Sequence, residues 1–158
     1  MKQNLTLAIV LAVSLFFVAS CSSQKEFAKI KFKDFDVETQ KDYVYRFVIP
    51  KNYEENNFKR SLESEEKQFT YADASMIYIT NEKGTPIANY NNIDSDSIAI
   101  QKSFLALMEN DTLTLQGKDK LGKYWKNKKL KEISIGYLNV PENRKADFDK
   151  AISSIKMK

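Results

Sequence analysis

Apolar residues follow three different rhythms along this chain. From Leu5 to Ala19 they run almost unbroken (LTLAIVLAVSLFFVA). From Ala28 they alternate with lysine: Ala28, Ile30 and Phe32 fall on one side, Lys29, Lys31 and Lys33 on the other. A period of two is that of a half-buried strand. Phe35 and Val37 step out of phase, which predicts a bulge. Tyr43 to Ile49 (YVYRFVI) is apolar on both faces, as a central strand is, and Pro50 with Lys51-Asn52 ends it in a turn. Near Lys158 the period becomes helical, with Phe148, Ala151, Ile152 and Ile155 on one stripe and Asn143 or Asp147 near its start.

The middle of the chain is more mixed. Phe58, Leu62 and Phe69 share a helical face, so Tyr53 to Phe69 reads as a short helix or a long connection between strands. Ser75 to Thr80 (SMIYIT) is a strand closed by the turn Asn81-Glu82-Lys83-Gly84. Asp94, Ser95 or Asp96 caps a helix that runs to Asn110, with Ile100, Phe104, Leu107 and Met108 as its stripe. Leu113 and Leu115 alternate with threonines in a strand ended at Gly117. Tyr124–Glu132 and Ile133–Val140 read as two further strands, with a hairpin placed around Asn127-Lys128. The order predicts one α+β domain over residues 28–158, a mainly antiparallel sheet packed against two or three helices. With its YRFVIP strand and closing helix, the order resembles the α/β/α sandwich of the PsbP and Mog1 families. That resemblance concerns the fold and implies no function.

The first apolar run covers 15 positions. A membrane-spanning helix needs about 20, whereas the apolar region of an export signal needs only about 7–15. Lys2 supplies the positive start, and Val18-Ala19-Ser20-Cys21 follows. This motif resembles the lipobox of bacterial lipoproteins, including the small envelope lipoproteins of Bacteroidetes-like organisms. The resemblance covers the first 21 residues and implies that residues 1–20 are a signal peptide and that Cys21 is acylated (palmitate among its chains) and becomes the first mature residue. An ordinary secretory signal with a free thiol at Cys21, and an uncleaved anchor, are the alternatives. Residues 21–27 then form a lipidated tether. Ser22 stands where aspartate would imply retention in the inner membrane. The family pattern therefore implies the outer membrane, facing the periplasm, with the cell surface as the alternative.

Composition adds boundaries. The 138 residues after the signal suit one domain. Lys and Arg number 25 against 21 Asp and Glu, a formal +4, of which Lys2 would leave with the signal. So small an excess does not argue for nucleic acid. It is gathered in two stretches, Lys25–Lys33 and Lys118–Lys131, where acidic headgroups could attract them; lysines on solvated strand faces are the plainer account. Cys21 is the only cysteine, so once acylated it leaves no disulfide, and the domain must rely on its core. Ten Phe, eight Tyr and one Trp supply the material for one.

The chain holds no histidine, which excludes Ser-His-Asp and Cys-His sites and leaves zinc and copper without their usual ligands. No phosphate loop or dinucleotide fingerprint appears. Ser64-Glu65-Glu66-Lys67 matches S-x-x-K, whose spacing brings Ser and Lys together on a helix, but neither S-D-N nor K-T-G follows. Asn91, Asn92, Asp94 and Asp96 form the densest oxygen cluster, a weak calcium candidate at Asp94 and Asp96 that helix capping also explains. Glu54-Glu55, Glu63 to Glu66 and Asp147-Phe148-Asp149 offer paired carboxylates, each equally at home on a solvated face. Tyr124, Trp125, Tyr78 and Tyr90 are the candidate protein-contact residues, because aromatic side chains enrich interface centres.

These features point to a non-enzymatic, membrane-anchored accessory lipoprotein without cofactor, a protein-binding subunit or scaffold of an envelope assembly. Its expected partners are the bilayer, through acylated Cys21, and another envelope protein, not nucleic acid. An immunity-type protein that neutralises a toxin by covering it is the first alternative. A carrier or sensor for a small apolar ligand is the second.

Overall fold

The computed structural model describes residues 26–36, 39–59, 64–82 and 112–158. The strands are β1 (Phe27–Asp36), β2 (Lys41–Pro50), β3 (Tyr53–Lys59), β4 (Glu65–Tyr71), β5 (Met76–Thr80), β6 (Thr112–Lys118), β7 (Tyr124–Leu130), β8 (Ile133–Val140) and β9 (Lys156–Met157). A 3-10 turn, Glu142–Arg144, runs into the helix α1, Lys145–Ser153. They build two sheets, one ordered β1-β2-β9 and the other β3-β4-β5-β8-β7-β6, and every pairing is antiparallel.

The core lies where the inner faces of both sheets meet α1. Phe32, Tyr45, Phe47 and Ile49 come from the first sheet, Phe69, Tyr71, Ile77, Ile79, Ile133, Ile135, Tyr137 and Val140 from the second, and Phe148, Ala151 and Ile152 from the helix. Edge-to-face rings knit the layers: Phe47 to Phe69 at 6.3 Å, Tyr71 to Phe148 at 5.2 Å, Tyr137 to Phe148 at 5.7 Å. Such pairs contribute about 0.5–1.5 kcal/mol beyond burial. Ser154, just past α1, takes the Val48 amide at 2.9 Å and so fastens the helix to β2.

Several expectations need correction. Two or three helices were expected, but the described residues hold one helical segment, Glu142–Ser153. The stretch from Tyr53, expected as a short helix or a long connection, is a hairpin: β3 and β4 pair from Tyr53↔Tyr71 to Lys59↔Glu65. Phe58 and Phe69, which share a helical face on paper, lie on opposite faces of that hairpin. Phe69 is fully buried and Phe58 is exposed. The helix expected from Asp94 to Asn110 lies outside the described residues. The bulge expected at Phe35 is absent, because β1 and β2 pair without a break from Phe27↔Pro50 to Asp36↔Lys41. Alternation continues with polarity reversed: Asp34 is buried and accepts from Asn81 Nδ2 at 2.9 Å, while Phe35 is 56% exposed. The last hairpin turns at Lys131-Glu132, with Lys131 at φ 54°, and Asn127-Lys128 is the middle of β7.

A bulge does occur, in the other sheet, between β7 and β8. Tyr124 pairs Val140 and Lys126 pairs Tyr137, so Leu138 and Asn139 of β8 together oppose Trp125. Asn139 takes the left-handed conformation at φ 57°, which asparagine tolerates better than most residues.

Candidate functional site

At the β7 start, β8 and α1 converge on one polar network. Tyr137 of β8 and Lys126 of β7 are cross-strand partners on the inner face, and α1 brings Asp149 between them. Asp149 accepts from Lys126 Nζ at 2.7 Å, from Lys145 Nζ at 2.5 Å and from the Tyr137 hydroxyl at 3.1 Å. In the 3-10 turn ahead of α1, Glu142 accepts from the Tyr124 hydroxyl. Lys118 Nζ stands 4.6 Å from the Tyr124 ring centre and 3.7 Å from the Glu142 carboxylate, with Lys145 Nζ 5.4 Å from the same ring. The Lys145–Asp149 part follows from helix spacing. The Lys126 and Tyr137 parts depend on sheet register, which leaves no short motif.

The electrostatics of this network lead away from acid–base chemistry. Partial burial pushes the Asp149 carboxyl up, but hydrogen bonds from Lys126 and Lys145 outweigh it and hold the group below its ordinary value. The Lys145 ammonium is held above its usual range by its hydrogen bond to Asp149, and Lys118 by Tyr124 and then Glu142. Burial, then Asp149, pushes the Tyr137 phenol up. Each shift stabilises the form already present at neutral pH. A general acid or base needs the opposite, a pKa drawn towards the working pH.

Arg144 organises a second cluster. Its guanidinium donates to Asp73 Oδ1 at 2.9 Å and to Ser75 Oγ at 3.0 Å, and stacks 4.5 Å from the Tyr71 ring and 4.9 Å from Phe148. For Asp73, burial raises the pKa, but bonds from Ser75 and Arg144 win and lower it. Beside this cluster is an open cleft of about 440 Å³ lined by Glu26, Pro50, Lys51, Asn52, Asn143, Arg144 and Asp147. Its lining is polar apart from Pro50. Lys51 closes one rim through a 2.5 Å ion pair with Glu26 and its own amide on the Glu26 carbonyl at 2.9 Å.

Of the described candidate contact residues, Tyr124 alone lies in one of these clusters. Tyr124 is half-buried in the network. Trp125, also half-buried, points to the other face of β7 and lies over Gly117, where an added Cβ would be 3.0 Å from the indole. Tyr78 is only 2% exposed and donates to Asn127 Oδ1 at 2.6 Å, so its ring faces protein, not solvent. Cys21, Tyr90, Asp94 and Asp96 lie outside the described residues. Ser64 immediately precedes β4 and Lys67 lies within it, so the pair is not carried on a helix. Lys67 instead meets Glu55 at 3.3 Å. Glu54 and Glu55 are neighbours in β3 and point apart. Among the described residues no three acidic, histidine or cysteine side chains group in a way that would hold a metal, and no helix is long and apolar enough to cross a membrane.

Compared with protein-family models, with curated proteins and with solved structures, the chain matches none.

Proposed function

We propose that this chain is a lipid-anchored envelope protein that acts by binding, with its α+β domain serving as a subunit or scaffold and carrying no catalysis of its own. The observation that carries this reading is the closed electrostatics of the two polar clusters. Asp149, Asp73, Lys145 and Lys118 each have an internal partner, and their pKa shifts run away from neutrality. Such clusters position elements of structure and leave no proton acceptor or nucleophile poised for a substrate. The anchor half of the proposal rests on Val18-Ala19-Ser20-Cys21 and on the domain beginning at Phe27, which leaves a tether only a few residues long.

The polar lining of the cleft favours a protein or lipid surface over a small apolar ligand. In-cell crosslinking of the tagged protein, purification in detergent and mass spectrometry test the proposal. A reproducible set of envelope proteins is the expected result. A single secreted partner with fast, salt-sensitive association would replace it with toxin neutralisation. Recovery of a co-purifying small molecule and no protein would replace it with ligand carriage.

A further inference from the structure

The outer face of the first sheet gathers cations that are scattered in sequence. Register places Lys29 beside Val48, Lys31 beside Arg46 and Lys33 beside Val44, and places Arg46 beside Lys156 on its other flank. Because alternate residues share a face, Lys29, Lys31 and Lys33 of β1, Arg46 of β2 and Lys156 with Lys158 at β9 all project from the side opposite the core. All six are exposed, and among the described residues none of them is in an ion pair. Asp42 is the carboxylate that pairing puts on this face, opposite Phe35 at its far end. Phe35 is 56% exposed.

Lysines on an edge strand discourage strand addition, but Arg46 is on the middle strand of this sheet, where no edge needs protecting. The face begins where the tether ends. Six residues from Cys21 to Glu26 reach at most about 20 Å, and Lys51, just past the end of β2, holds Glu26 against that strand. A bilayer holding Cys21 therefore lies within about 20 Å of the start of β1, and Lys29 is the third residue of that strand.

We propose that the outer face of the β1-β2-β9 sheet docks on an anionic lipid surface, laying the domain flat against the membrane with Phe35 entering the headgroup layer. This rests on the anchored reading above. Its occupant is fixed by charge complementarity and by the short reach of the tether. Clusters of lysine and arginine next to a lipid anchor gain affinity for acidic headgroups with each added cation, and the second signal turns marginal anchoring into stable anchoring.

The test uses the full protein purified from its native membrane and placed on vesicles of phosphatidylcholine alone or with one third phosphatidylglycerol. Surface amines are labelled with an N-hydroxysuccinimide ester and read by peptide mass spectrometry. Labelling of Lys29, Lys31, Lys33 and Lys156 is expected to fall by roughly threefold or more on the anionic vesicles and to recover in 0.5 M salt. Exposed Lys59 and Lys131 should stay unchanged. The combined change Lys29→Gln, Lys31→Gln and Lys33→Gln, with unaltered near-ultraviolet circular dichroism, should remove the protection of Lys156. Equal labelling on both vesicles would overturn the proposal. Protection seen in native envelopes but not on anionic vesicles would also overturn it and assign the face to an acidic protein. The same digests report the mass of the Cys21 peptide, so loss of the anchor reading is seen separately from loss of the docking face.

Discussion

The ring of Tyr78 lies across Gly136. The two are cross-strand partners between β5 and β8, and a Cβ at Gly136 would fall 2.6 Å from Tyr78 Cζ and closer still to its hydroxyl and to the Lys126 carbonyl. The absent side chain lets the phenol span a whole strand and reach Asn127 on β7. Gly136→Ala should therefore cost about 3 kcal/mol or more, since backbone as well as ring must yield. Tyr78→Phe should cost about 1–3 kcal/mol by stripping Asn127 of a buried partner. Urea unfolding of each variant measures both.

Gly117 repeats the arrangement more gently. Its added Cβ would meet only the Trp125 indole, at 3.0 Å, and a side chain can yield where a backbone cannot. Gly117→Ala should cost less than Gly136→Ala and should shift the emission of the lone tryptophan. Fluorescence and urea titration of the same sample report both quantities.

Acid should loosen the attachment of α1. Asp149 and Asp73 have folded pKa values below their ordinary 3.8. Their stabilisation is complete above that value and drains away as pH falls through the lower folded one. Asp149→Asn should lose about 1–3 kcal/mol at neutral pH and show a flatter stability profile below pH 4. Base acts through the tyrosines. Burial raises Tyr45 to about 12, and Tyr71 and Tyr137 also rise. Their contribution is complete below pH 10 and lost as pH climbs through the folded values. Stability measured from pH 2 to 12 should fall at both ends.

Ala74 occupies the β4–β5 turn at φ 61°, a conformation that strains a residue bearing a Cβ. Ala74→Gly should raise stability by about 0.5–1 kcal/mol, net of glycine's greater chain entropy. Thermal unfolding would show the gain as a higher midpoint.

Metabolic labelling with a clickable fatty acid addresses the anchor. Wild type should incorporate label and Cys21→Ser should not. Equal incorporation would remove lipidation from Cys21.

Strands whose two faces differ in polarity are legible in the sequence alone. Lysine alternation marks β1, and apolar residues on both faces of Tyr43–Ile49 mark β2 as the middle of its sheet. The β3–β4 hairpin is not legible in this way. Its edge strand covers little core, so YEENNFK carries no clean alternation, and Phe58, Leu62 and Phe69 mimic a helical stripe. The reversal at Asp34 and Phe35 is hidden because Asp34 enters the interior with a bond from Asn81, a partner 47 positions away. The Asp149 network is half legible. Lys145 lies one helical turn from Asp149, but Lys126 reaches it only through the pairing of β7 with β8.

Ser154 receives the Val48 amide from 106 positions away. The β1-β2, β3-β4, β6-β7 and β7-β8 hairpins are local and close on a microsecond scale. The clasp of α1 and β9 onto β2 is among the most distant contacts in the chain, and loop-closure entropy delays such joints. Until residues 145–157 arrive, the inner face of the first hairpin has no helix to cover it. Seating of α1 and β9 on β2 is thereby a long-range step, and protection of the Val48 amide from hydrogen exchange reports when it is complete.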